Sequence, residues 1–194
     1  MAKVTGPLFS LAASGKLANS LVYLSWKGID DVRQYVIPAN PKTSGQQQQR
    51  GYFTDGVEDW HTAGYTADDV AAYNLAALAE KLPMSGFNIH EKYFVDAKVS
   101  GLTWYALTNC AVSGVTASGA SVAVNVASDQ TGVLHYGTSK STMNTTVSGT
   151  FTTDHYDFTL SGLNANTKYY FWIENTAVSA AGRTGIYTFT TAAS

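Results

Sequence analysis

Cysteine, charge and proline are all scarce in this chain of 194 residues. The single cysteine, Cys110, excludes an intramolecular disulfide framework and a cysteine-rich metal site, and reads as a small buried or half-buried thiol. Asp, Glu, Lys and Arg make up only 13% of the residues, against roughly 25% in ordinary soluble domains. With 12 basic and 14 acidic residues and a net charge of −2, the chain has no basic surface with which to neutralise phosphates, which excludes electrostatic nucleic-acid binding. No uncharged apolar run approaches the roughly 18 to 20 residues that cross a bilayer, so no membrane partner is expected. The first twenty residues carry one early lysine and an apolar stretch broken by Gly6, Pro7 and Ser10. They make a poor signal peptide, and synthesis in the cytoplasm without export by that route is the expectation.

Motifs for chemistry are missing in turn. No G-x-S-x-G nucleophile elbow occurs. Ser14-Gly15-Lys16-Leu17 falls short of a phosphate-binding loop, because Ser10 stands where the first glycine belongs and Leu17 where the magnesium-binding Ser or Thr belongs. His90-Glu91-Lys92-Tyr93-Phe94 opens like a zinc-protease helix, but Phe94 replaces the second histidine and leaves a metal without its ligand one turn on. His61, His135 and His155 are scattered, and His135, between Leu134 and Tyr136, should point to the outer face of its strand. Asn144-Thr145-Thr146 matches a glycosylation sequon and reads as a loop. The expectation is a chain that is not an enzyme and uses no cofactor or metal.

What is there divides into two halves. Split at about residue 106, the first part holds ten acidic and nine basic residues and the second only four and three. That shift, with a change of periodicity, predicts an α+β domain over residues 1–105 and an all-β sandwich over 107–194. In the first, Leu21 to Trp26 and Val32 to Ile37 are rich in β-branched and aromatic residues and flank Lys27 to Asp31, which predicts a hairpin over 20–38. Pro38 and Pro41 then favour an extended exit. Three helices follow, at about 43–61, 66–82 and 85–97. The first has Phe53, Val57 and Trp60 on one face, with Gln46 to Gln49 as its solvated start. The second begins at a capping box formed by Thr66 and Asp69, shows Val70, Tyr73, Ala77 and Leu78 as its apolar face, and ends at Pro83. The third starts near Ser85, with Phe87, His90, Tyr93, Phe94 and Ala97 supplying bulk.

In the second half a first strand is expected near Val112 to Val115. Five period-2 segments follow, marked by Val122-Val124-Val126, Leu134-Tyr136, Tyr156-Phe158-Leu160, Tyr169-Phe171-Ile173 and Tyr187-Phe189. Leu134 to Ser139, Leu160 to Phe171 and the closing Tyr187 to Thr191 resemble a fibronectin type III domain of the kind found in bacterial and phage proteins. The resemblance implies that Leu163 and Tyr169 form a tyrosine corner, the Tyr169 hydroxyl tying a loop to the strand backbone. Two positions depart from that family: Asn125 lies where a core Trp is frequent, and Ala165 replaces a frequent Pro.

The first half is similar to an N-terminal module of small virion proteins of tailed phages. The matching residues are Ser14 to Leu17, Trp26 to Gly28, Val32 to Tyr35, Asn40 to Thr43, Gln47 with Arg50, and Met84 to Asn88. The resemblance implies a bacteriophage structural protein located in the virion, with other virion proteins or further copies of itself as partners. It places docking to the particle on Trp26, Arg33, Tyr35, Asn40, Pro41 and Arg50. A hairpin alone is marginal, so its face must lie either on its own helices or on another chain. Tyr170 and Trp172 alternate with the buried set and should face outward. They form a platform for a host surface glycan, a contact with a neighbouring subunit, or a surface covered by the chain's own N-terminal half or the loop near Ala177 to Gly182.

Overall fold

A computed structural model describes residues 2–3, 15–18, 20–27, 29–37, 39–127 and 131–193, with backbone only for residues 2–3 and Trp26. The chain falls into two compact units, Met1–Thr43 and Ser44–Ser194.

Among its described residues the first unit is a four-stranded sheet. Its strands are β1 (Ala2–Lys3), β2 (Gly15–Leu17), β3 (Leu21–Trp26) and β4 (Ile29–Gln34), in the order β1-β4-β3-β2, all antiparallel. The expected hairpin is its centre, with a shifted second strand. Pairing runs from Leu21↔Gln34 to Trp26↔Ile29, so Ile29 to Asp31 belong to the ladder and Tyr35 to Ile37 leave it. Lys27, at a φ of 50°, supplies a left-handed turn residue, and so tight a turn matches the twist of its flanking strands better than a five-residue loop. The turn residue Gly28 and Pro38 of the exit lie outside the described residues. So does Ser14; Gly15, Lys16 and Leu17 of the same tetrapeptide form an edge strand, not a phosphate loop.

The second unit joins three helices to a sandwich, so the break expected near residue 106 is not where the chain divides. Helices α1 (Ser44–Thr62), α2 (Ala67–Ala79) and α3 (Gly86–Val99) match the expected spans closely. Thr66 caps α2 through a full capping box with Asp69, and Ser85 caps α3. Two apolar faces turn differently from the periodicity. Leu78 is 64% exposed and Phe53 54% exposed, while α2 buries Ala72, Tyr73, Ala76 and Ala77. Small side chains let α2 approach the sandwich backbone closely, which a face built on Leu78 would prevent.

One sheet of the sandwich runs β10 (Thr150–Thr152), β11 (His155–Ser161), β7 (Gly119–Val126), β6 (Leu107–Ser113). The first strand therefore begins five residues before the expected Val112. The other sheet runs β5 (Thr103–Trp104), β13 (Ala180–Arg183), β12 (Lys168–Asn175), β8 (Gly132–Gly137), β9 (Thr145–Ser148), and β14 (Tyr187–Thr190) also pairs with β12. The alternating residues behave as their period dictates: Val122, Val124, Leu134, Phe158, Phe171 and Ile173 are each at most 1% exposed. Asn125 faces out between buried Val124 and Val126, so the missing Trp costs the core nothing at that position.

Candidate functional site

Three clusters of polar and aromatic side chains gather in the second unit. The first welds α2 to the sandwich. Asp69 is fully buried, and its carboxylate accepts hydrogen bonds from the Thr66 amide (2.8 Å), the Asn109 amide (2.8 Å), the Cys110 amide (3.2 Å) and the Tyr187 hydroxyl. The Asn109 and Cys110 amides are free to point at Asp69 because β6 leaves its register between Thr108 and Ala111, where Asn109 takes a φ of 51°. Nearby, the Tyr73 hydroxyl donates to the Arg183 carbonyl at 2.8 Å, and the Ile186 amide donates to the Ala72 carbonyl at 2.9 Å. Burial pushes the phenols of Tyr73 and Tyr187 up, so both remain neutral donors.

The second cluster lies between α1 and α3. Asp59 Oδ2 accepts from the Tyr65 hydroxyl (3.1 Å) and Trp104 Nε1 (3.2 Å), and His90 Nε2 lies 3.0 Å away. Trp60, Tyr65, Tyr73 and Trp104 surround the His90 ring, with centroids 5.1 to 5.7 Å from it. Burial pushes the Tyr65 phenol up. His90 thus sits deep in an aromatic core, and among the described residues no group of three His, Cys, Asp or Glu side chains could hold a metal ion.

The third is a stack on the outer face of β12. His135 lies parallel to Trp172 at 4.1 Å, and the Arg183 guanidinium stands 4.3 Å from the Trp172 ring and 4.3 Å from the Tyr93 ring. Glu80 accepts from the Tyr93 hydroxyl at 2.6 Å and from Lys92 Nζ at 2.8 Å. Those bonds hold its carboxyl below the ordinary range, against the upward pull of burial. Tyr170 and Trp172 do face outward from the sandwich, but both pack against the helical core. His135 and Arg183 stand beside the Trp172 ring, and partial cover by the chain's own helices, one of the three alternatives, is seen for both residues.

The expected docking residues scatter by contrast. Arg33 is exposed, Tyr35 is half-buried with Lys16 Nζ 4.3 Å from its ring, and Asn40, Pro41 and Arg50 are exposed. Trp26 pairs with Ile29 at the end of β3, and its side chain lies outside the described residues. Arg50 belongs to α1 and hence to the second unit, whereas the other five belong to the first. The tyrosine corner has the expected geometry: Leu163 and Tyr169 are buried, and the Asn164 amide donates to the Tyr169 hydroxyl at 3.0 Å.

Local sequence pattern marks Asp69 as a helix cap only and marks no role for Asp59, Glu91 or Arg183. The partners of Asp69 come from 40, 41 and 118 residues away, and no local pattern announces them.

A groove of about 590 Å³ runs beside the α2 joint, lined by Thr66, Ala71, Leu75, Cys110, Val112 and Tyr187 among others. Burial pushes the Cys110 thiol up, away from the reactive thiolate.

The two-sheet topology and the three helices among the described residues define a mixed α+β protein with a β-sandwich part. No protein-family model matches the chain, and no curated protein matches it. Solved structures do. A computationally redesigned β-sandwich protein is 24% identical, covering 45% of this chain and 95% of that one, with a TM-score of 0.37. The fibronectin type III domain of human collagen XX is 17% identical, covering 45% of this chain and 94% of that one, with a TM-score of 0.36. The third fibronectin III domain of human KIAA0343 protein is 17% identical, covering 48% of this chain and 86% of that one, with a TM-score of 0.38. Each of these matches extends over about half of the chain. No helix among the described residues is long and apolar enough to cross a membrane.

Proposed function

We propose that the chain is a non-enzymatic structural subunit that assembles through its N-terminal sheet, with the helix-buttressed sandwich as its rigid body. The observation that carries this reading is the state of the first unit. Every residue from 15 to 43 whose side chain is described is half-buried or exposed, and Ile29, Val36 and Ile37 are 49%, 68% and 73% exposed. Strands of two to six residues gain little from their own ladder, and apolar side chains left in water favour a covering partner. The partner taken here is a further copy of this chain, and the resemblance of the first half to tailed-phage virion proteins is the support for a phage particle as the setting of that assembly. Equivalent contacts repeated over many copies turn modest affinity into firm attachment.

Changing Val36 and Ile37 together to Asp is the point test. Sedimentation velocity is expected to show the wild-type chain associating as its concentration rises and the double variant staying monomeric, with unchanged thermal unfolding of the body. Association of the double variant at wild-type strength would refute docking through this segment.

A further inference from the structure

Glu91, in the middle of α3, is 2% exposed, and neither of its carboxylate oxygens has a hydrogen-bond partner among the described residues. It faces the backbone of α1 where that helix carries Gly56, the one buried residue of its length. A Cβ added to Gly56 would stand 2.6 Å from Glu91 Oε2 and 2.8 Å from Oε1. Glycine at that point is what lets a carboxyl group occupy the α1–α3 contact. On the other side His90 Nδ1, also without a partner, lies 3.9 Å from Glu91 Oε1. The opposite ring nitrogen, Nε2, is 3.0 Å from Asp59 Oδ2. In the neutral imidazole, a proton on Nε2 toward that carboxylate leaves Nδ1 a bare acceptor turned toward Glu91.

Three cations near α3 are engaged elsewhere. Lys92 of α3 lies 2.8 Å, and Arg183 of β13 3.9 Å, from the Glu80 carboxylate that follows α2. Lys98 lies over the Phe94 ring at 5.3 Å. From α1 the charge that acts on Glu91 is Asp59, of its own sign. Tyr65, from the segment after α1, and Trp104, from β5, present neutral donors to Asp59.

We propose that Glu91 is a proton-operated latch for helix α1, closed while its carboxyl is neutral and opened when it ionises. A neutral carboxyl tolerates this apolar, unpaired position, whereas a carboxylate there is buried without a partner beside a second negative charge. Burial first, and Asp59 second, push the Glu91 carboxyl up from 4.5 to about 7. The sign follows: the closed form holds its proton up to about pH 7 and the open form only to about 4.5, so closure binds a proton in that window. Closure is strongest below the lower value, weakens as pH rises through the window, and levels off above the upper one. The inference stands independently of assembly through the N-terminal sheet.

Hydrogen exchange of the full chain at pH 5.5 and 8.5, corrected for intrinsic rates, tests it. The amides of α1 should lose protection by on the order of 30-fold between the two pH values, the change set by that window, while β7 and β11 keep theirs. Glu91→Gln should keep α1 protected at both. A carbon-13 titration of the Glu91 carboxyl in the wild type needs no variant, and its midpoint is expected near 7. Equal protection of α1 at both pH values overturns the latch. So does a titration near 4.5, or a pH-dependent loss that survives Glu91→Gln.

Discussion

Gly185→Ala is expected to lower the stability of the body by about 3 kcal/mol, with α2 losing its seat on the sandwich. An added Cβ would stand 2.2 Å from the Ala72 carbonyl carbon and 2.2 Å from the Tyr73 amide nitrogen, both backbone atoms of α2. Neither can swing aside as a side chain would. The helix must back away, which breaks the bond from the Ile186 amide to the Ala72 carbonyl and unseats the Tyr73 hydroxyl from Arg183. Gly101→Ala makes the comparison clean. Gly101 has a φ of 76° and open space around its Cβ position, so alanine there incurs backbone strain alone, about 1 kcal/mol. Urea unfolding of the two variants should separate them clearly; equal small losses would mean that α2 does not rest on this glycine.

Asp69→Ala should be at least as damaging, at about 4 kcal/mol, because one carboxylate serves two elements. Its removal deprives α2 of the reciprocal half of its capping box and strands the Asn109 and Cys110 amides and the Tyr187 hydroxyl in a buried site. Asp69→Asn keeps one acceptor and turns an amide donor toward other donors, so it should fall between wild type and alanine. Urea midpoints measure both, and near-neutral behaviour of Asp69→Ala would show that the weld is not a source of stability.

These two residues also mark where the sequence stops being informative. Helix starts were legible because caps are local: Thr66 with Asp69, and Ser85, sit within one turn of what they cap. Sandwich strands were legible because burial on one face imposes a period of two, as in Val122-Val124-Val126. Distant events left no such trace. No local pattern marks Gly185 or Glu91: the first meets the backbone of α2 and the second the backbone of α1 only once those helices are in place. The composition shift near residue 106 is real, yet it records only that helices carry more charge than sandwich strands, not that the two are separate bodies. Edge strands β1 and β2, two and three residues long, are too short to show any alternation.

The functional account therefore rests on a division of labour different from the one the composition suggests. Helices and sandwich share one body through Asp69, Gly185 and the Arg183 stack, and the N-terminal sheet is the element proposed to assemble. Light-scattering mass after size exclusion, on the whole chain and on residues 44–194, tests that division most directly. The account predicts an oligomer for the whole chain and a folded monomer for the shorter one. A monomeric whole chain at every concentration, or a shorter chain that forms the same oligomer, would contradict it.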